Sequence, residues 1–203
     1  MSTVQRETVA FHFDPICPWA WRAADWIREV RQVRPIAVEW RFFSLEEVNK
    51  GDGTVDWEGG RSAPVLRLLA LVRRQHGNEA VDRLYDALGQ ARFVRNEELS
   101  DPAVVEEALA AAGLDRGLRA AALADPSTRE EVLRDHYGVV EHLEAFGVPT
   151  LVLDGGRGPG IFGPVINPVP RGEEAGQLWD HLVWLVRQPG FYEIKRTRPQ
   201  PKR

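Results

Sequence analysis

The chain is nearly without cysteine. One thiol, Cys17, in 203 residues excludes an intramolecular disulfide and any cysteine-rich zinc site. Its histidines, His12, His76, His136, His142 and His181, show no metal-ligand spacing, and nothing resembles an HExxH helix, so no metal is expected. There is no excess of positive charge. The net charge of −4 gives no overall pull toward nucleic acid or an anionic membrane. No stretch approaches the roughly 20 apolar residues of a membrane span, and the polar run Met1 to Glu7 is not followed by the apolar segment of a signal peptide. No internal repeat is visible. These absences lead to the expectation of a cytoplasmic protein, where a free thiol stays reduced, with neither a nucleic-acid nor a membrane partner. The apolar fraction of 43% and charged fraction of 28% are ordinary for a globular chain, long enough for one domain with a sizeable core or a small domain plus an insertion.

The thiol stands where the hydrophobic period changes. Thr8 to Phe13 alternates, with Val9, Phe11 and Phe13 on one face, and predicts a strand. Asp14-Pro15 breaks it. From Cys17 onward Ala20, Ala23, Ala24, Ile27 and Val30 recur at helical spacing until Arg34-Pro35 ends the run. Ile36 to Phe43 predicts a second strand, so the thiol occupies the first strand-to-helix turn of a βαβ unit. A loop with Gly51, Gly53, Gly59 and Gly60 follows. Ser62 to Phe146 is helical in character almost throughout, with helix-start signals at Asp101-Pro102 and at Ser127 with Glu130. Strand character resumes at Val148 to Leu153, turns at Asp154-Gly155-Gly156, and returns at Gly160 to Gly163. Glu173 to Arg187 predicts a last helix with Ala175, Leu178, Trp179, Leu182 and Val186 buried. The glycine-rich Gly155 to Gly160 lies between two short strands, which suits a hairpin loop rather than a phosphate loop.

This order predicts an α/β thioredoxin fold, DsbA-like, with an all-helical insertion between the second and third sheet strands. The expected division is 1–60 with 147–195 as the thioredoxin-like domain, 61–146 as the helical insertion and 196–203 as a basic, solvated tail. Cys17 is expected at the helix cap or in the first turn, with Pro18 at the first helical position, where unpaired N–H groups and the macrodipole favour a thiolate. The alternative is an inert buried cysteine. In such a frame Val148-Pro149 faces the cysteine. A cis bond there is expected, leaving the Val148 backbone to pair with a ligand, with Thr150 following. Trp19, inside the thiol turn, is expected to flank a ligand; Trp26 and Trp40 are expected to be packing residues. Arg171, ahead of Glu173 and Glu174, reads as helix-start chemistry.

Phe13-Asp14-Pro15-Ile16-Cys17-Pro18-Trp19 with Trp21 resembles the active-site segment of DsbA-like proteins of the mycothiol-dependent nitroreductase and disulfide reductase type. Three further runs carry the resemblance: Gly147-Val148-Pro149-Thr150, the stretch from Ile161 to Val165 with Pro170 to Asp180, and Phe191 to Arg198. Ser44-Leu45 with Asn49 matches the segment after the family's second strand. The resemblance covers the whole chain and is weaker in the helical block. It implies a thiol-dependent oxidoreductase with no tightly bound cofactor. Mycothiol, a sugar-linked cysteine thiol, would be its co-substrate, and disulfides or electrophilic and nitroaromatic compounds its substrates. It also implies that Trp21 and Asn49, with Val148, Pro149 and Thr150, lie on the substrate or thiol-cofactor side, in a monomer or homodimer.

The departure is Ala20. The family carries Cys-Pro-Trp-Cys, and position 20 should hold the resolving thiol. Three accounts remain open at this level. Cys17 works as a monothiol resolved by an external thiol, Ala20 is an engineered replacement, or the scaffold has left redox chemistry for thiol-cofactor-dependent isomerisation or transfer. A redox-inactive binding protein is the reading from a different class.

Overall fold

The computed structural model describes residues 7–197. The polar start at residues 1–6 and positions 198–203 of the basic tail lie outside the described residues. Strand β1 (Glu7–Phe13), helix α1 (Pro18–Val33) and strand β2 (Ile36–Phe42) form the βαβ unit, with β1 and β2 parallel from Glu7 opposite Ile36 to Phe13 opposite Phe42. The chain is then helical up to β3. It forms α2 (Leu45–Val48), α3 (Ala63–His76), α4 (Asn78–Gly89), which runs on into a π-turn at Gln90–Val94, α5 (Pro102–Ala111), α6 (Leu118–Ala124) and α7 (Ser127–Leu143). Strand β3 (Thr150–Val152) pairs antiparallel with β1, and β4 (Gly160–Phe162) antiparallel with β3, so the sheet order is β2-β1-β3-β4. The connection between β3 and β4 is the single turn α8 (Leu153–Gly156), left-handed at Asp154 (φ 54°) and Gly155 (φ 65°), and α9 (Gly172–Val186) closes the fold. This is the mixed α/β thioredoxin-fold architecture expected from the order of elements.

Local chemistry explains where elements begin. Pro18 lacks the N–H that the first helical position leaves unpaired anyway, and Cys17 is the N-cap. Asp101 caps α5 by accepting the Ala103 N–H at 2.9 Å. At α7 the expected Ser127 cap is replaced. Pro126 is the cap residue, and Ser127 donates both its N–H (3.0 Å) and its hydroxyl (2.7 Å) to Asp125. The buried Arg67 of α3 gives its guanidinium to the carbonyls of Ala122 (3.1 Å), Leu123 (2.8 Å) and Asp125 (3.2 Å), a cation set against the C-terminal end of α6.

The sheet places the site. β1 is a central strand, and everything from Val9 to Phe13 is buried, Ala10 and His12 included. On one face Phe13 stacks on Tyr85 of α4 at 4.0 Å between ring centroids. Trp40 meets Phe11 at 5.0 Å and Phe13 at 5.8 Å, both edge-on. From α7, Asp135 accepts the Phe42 N–H at 3.1 Å. Helix α9 lies along α1, where Trp26 Nε1 donates to the Ala175 carbonyl at 3.1 Å. Arg34 reaches Glu173 (2.7 Å) and Asp180 (2.8 Å), and Arg171 reaches Asp25 (2.7 Å) and Glu29 (3.1 Å). These partly exposed pairs fix the position of α9 more than they stabilise it. Arg171 is thereby engaged between helices, which goes beyond helix-start chemistry.

Candidate functional site

Cys17 caps α1 in an extended conformation (φ −87°, ψ 111°). Its N–H donates to the Asp14 carbonyl at 3.0 Å, closing the turn that lifts the chain off β1. Its sulfur accepts the Ala20 N–H at 3.4 Å and donates to the Val148 carbonyl at 3.4 Å. Only 7% of the residue is exposed, and Ala20 is fully buried. The arrangement suits a thiol nucleophile, because the cap position puts a helix N–H on the sulfur, where charge develops.

The Val148–Pro149 bond is cis, as are Gly163–Pro164 and Asn167–Pro168. Pro149 accepts the Gly163 N–H at 2.8 Å, and the Thr150 hydroxyl donates to the Gly147 carbonyl at 2.7 Å. The structure therefore brings Cys17, Pro18, Trp19, Ala20, Val148, Pro149 and Thr150 to one end of the sheet. The Val148 carbonyl, expected to await a ligand, is occupied by the thiol in this state. Trp19 is half-buried.

Trp21 and Asn49 sit one step away. Trp21, half-buried, lies against Phe93 of the π-turn at 5.3 Å and against Gly89, whose missing side chain makes room for the indole. Asn49 is exposed, and its amide donates to the Leu45 carbonyl at 2.7 Å, closing α2.

Asp14 belongs to the run that resembles the family's active-site segment, but nothing in the sequence assigned it a role of its own. Fully buried three residues before Cys17, it accepts the Ile16 N–H (3.0 Å), the Leu45 N–H (2.7 Å) and the Ser62 hydroxyl (3.0 Å). Burial raises its carboxyl from 3.8 to about 6 against the pull of those donors. Ser62 Oγ also lies 3.1 Å from Glu46 Oε2. Burial alone would raise Glu46, but the N–H groups of Ser62, Arg61 and Ala63 at the start of α3 hold it below the usual range. Asp14 and Glu46 thus tie the thiol turn to α2 and α3. In the sequence Asp14 was marked by the Asp-Pro pair, read as a strand breaker, and by its place in the active-site-like run.

Two other features flank the site. Phe146, 67% exposed, lies tilted against the partly exposed Phe162 at 4.7 Å between ring centroids, just before the Gly147–Pro149 loop. His12 and His136 are buried, and burial lowers each to about 4. Among the described residues no cluster of three or more His, Cys, Asp or Glu is arranged to hold a metal, and no helix is long and apolar enough to cross a membrane. A polar cleft of about 730 Å³ lies toward the start of β1, away from the thiol, lined by residues that include the paired Glu7, Asp154 and Arg187.

Comparison with known proteins gives a consistent picture. Residues 16–196 match the family model described as Rv2466c-like, mycothiol-dependent nitroreductase. An uncharacterised protein of Mycobacterium tuberculosis, Rv2286c, is 40% identical over 196 residues, covering 94% of this chain and 82% of the relative. Among solved structures, the cytosolic disulfide reductase DsbM of Pseudomonas aeruginosa, solved with GSH, superposes with a TM-score of 0.62 at 16% identity, covering 88% of this chain and 100% of that one. The oxidoreductase NmDsbA1 of N. meningitidis superposes with a TM-score of 0.57 at 16% identity, covering 92% and 86%. At these identities the two structures speak for the DsbA-like fold alone.

Proposed function

This chain belongs to the Rv2466c-like family of mycothiol-dependent nitroreductases, a family of oxidoreductases, and from that premise we propose that it is a monothiol member in which Cys17 is the nucleophile and mycothiol the electron donor. The observation that carries the reading is the pairing of a helix-capping Cys17 with a fully buried Ala20 at the position of the resolving thiol. The proposed substrates are disulfides and small electrophiles, nitroaromatic compounds included. The proposed setting is the cytoplasm, where a low-molecular-weight thiol pool keeps Cys17 reduced.

The disulfide reaction takes two exchanges. The Cys17 thiolate attacks one sulfur of the substrate, forming a mixed disulfide and expelling the other half as a thiolate. A mycothiol thiolate then attacks the substrate sulfur of that mixed disulfide and frees Cys17. A second mycothiol completes the reduction outside the protein, so two mycothiols are oxidised to their disulfide for each substrate disulfide reduced. In this scheme the Ala20 N–H stabilises the sulfur, while the Val148–Pro149–Thr150 backbone and Trp19 border the bound half. Trp21 and Asn49 lie on the substrate side, together with the exposed Phe146–Phe162 pair. We take residues 61–146 as a helical unit inserted into the frame formed by 1–60 and 147–195.

Intact mass after incubation with oxidised mycothiol tests the reading, alongside Ala20→Cys. A stable mycothiol adduct on this chain, released in the cysteine variant, is the expected result. No adduct on either protein refutes it. Turnover with mycothiol that survives Cys17→Ser turns the reading to a thiol-cofactor isomerase or transferase. Ligand affinity without thiol-dependent turnover turns it to a binding protein.

A further inference from the structure

Tyr85 has a hydroxyl that packing does not explain. The residue is fully buried on α4, its ring stacked on Phe13 and edge-on to Trp40 at 5.7 Å between centroids. The aromatic contacts use the ring alone. Among the described residues the hydroxyl has no hydrogen-bond partner. Leaving such a group unpaired in a core destabilises the fold, and phenylalanine would fill the same space without that cost.

Its position gives the hydroxyl a use. Phe13 is the last residue of β1, four before Cys17, so the stack holds the Tyr85 ring against the strand end that leads into the thiol turn. After burial itself, the strongest influence on Tyr85 is the charge of Cys17. Arg28 on α1, Asp14 in the turn and Asp82 on α4 follow. Burial and the Cys17 charge both raise the phenol well above its ordinary value, so it keeps its proton whatever the thiol does.

The thiol state supplies the remaining step. In this structure Cys17 Sγ acts as a donor toward the Val148 carbonyl. A thiolate has no hydrogen to give, and two electron-rich atoms facing each other repel. Ionised sulfur needs donors, and the Ala20 N–H is one. We propose that the Tyr85 hydroxyl is a second donor to the Cys17 sulfur in its thiolate state, a contact made as the sulfur gives up the Val148 carbonyl. No proton moves from the phenol: the thiol proton goes to solvent, and Tyr85 stabilises the charge left behind. The inference deepens the proposed function, since it assigns a group to the nucleophile on which that function rests.

Tyr85→Phe is the test, read on the thiol directly. The pH profile of Cys17 alkylation by iodoacetamide and the ultraviolet absorbance of the thiolate should both shift to higher pH. A shift of one unit appears as about tenfold slower alkylation at a fixed pH below the midpoint. Thermal stability should hold or rise, because an unpaired buried hydroxyl has been removed. Superimposable profiles for the two proteins would overturn the proposal, since a packing role predicts no change in the thiol. The readout needs no mycothiol. A shifted profile in a protein that forms no mycothiol adduct would therefore keep Tyr85 and refute the proposed function, and the reverse pair of results would do the opposite.

Discussion

The sulfur of Cys17 lies 3.4 Å from the carbonyl oxygen of Val148, a residue 131 positions away in the chain. That contact joins the first helix cap to the loop that leads into β3. It makes Cys17→Ser a clean probe: a hydroxyl can donate to Val148 and accept from Ala20 as the thiol does, but it forms no disulfide. The variant should unfold at nearly the same denaturant concentration as the parent, while thiol-dependent turnover falls to background. Loss of both together would mean the sulfur is structural.

Ala20→Cys should restore an internal dithiol. The new side chain starts from a fully buried position whose N–H already touches Cys17 Sγ. Oxidation should remove two hydrogens from the intact mass and abolish alkylation of both thiols. The reduced form carries an extra sulfur in a packed core, and overpacking of that kind costs about 1–3 kcal/mol. Denaturant curves should therefore rank the reduced variant below the parent.

Stability should fall on acidification from pH 6.5 toward pH 4. His12 and His136 are held neutral by burial to about pH 4, whereas an unfolded histidine takes a proton near 6.5. Across that window the unfolded chain binds more protons, so stability is lost as pH drops, up to about 3 kcal/mol for His12. Asp14 acts in the opposite sense. Its folded value of about 6 exceeds the unfolded one, so between about pH 4 and pH 6 the folded protein holds the extra proton and gains stability on acidification. Asp14→Asn should therefore steepen the loss. Urea midpoints at several pH values measure both slopes, and parallel slopes for parent and variant would refute the assignment to Asp14.

Gly89→Ala should disturb the thiol helix from the neighbouring α4. A Cβ there would sit 1.9 Å from Trp21 Nε1 and 2.2 Å from its Cδ1, so the indole must move. The expected cost is about 1–3 kcal/mol in unfolding experiments, with a shifted tryptophan emission and lower turnover. An unchanged spectrum would mean that Trp21 is not held against α4.

Phe146→Ala should leave stability within about 0.5 kcal/mol, because the ring is mostly exposed. KM should rise for aromatic substrates and stay constant for an aliphatic disulfide. An equal rise for both would place the Phe146–Phe162 pair outside substrate selection.

Much of the architecture was legible because it rests on local chemistry. The change from a two-residue to a helical period, Pro18 at the first helical position and Asp101 ahead of Pro102 are statements about neighbours, and the chain states them directly. The misreadings have non-local causes. The alternation of β1 suggests one buried face, but pairing on both sides and helices on both faces bury His12 as well. Asp14 finds two of its three partners at Leu45 and Ser62, 31 and 48 residues on, distances at which no spacing rule operates. Tyr85 stands in the helical stretch, and only the fold shows its hydroxyl sealed in without a partner among the described residues. Ser127 was misplaced by a single step, because Asp125 captures its hydroxyl before the helix starts.

At Ser62, hydrogens can be counted. Its oxygen stands between Asp14 at 3.0 Å and Glu46 at 3.1 Å, with one hydrogen to share. Below about pH 6, where Asp14 is protonated, the three oxygens form a relay: Asp14 gives to Ser62, and Ser62 gives to Glu46. Above it the supply is one hydrogen short, and two anions compete for the same hydroxyl. The joint between the thiol turn and the helices beyond it thus has a hydrogen for every oxygen in acid, while at neutral pH two carboxylates share one hydroxyl hydrogen.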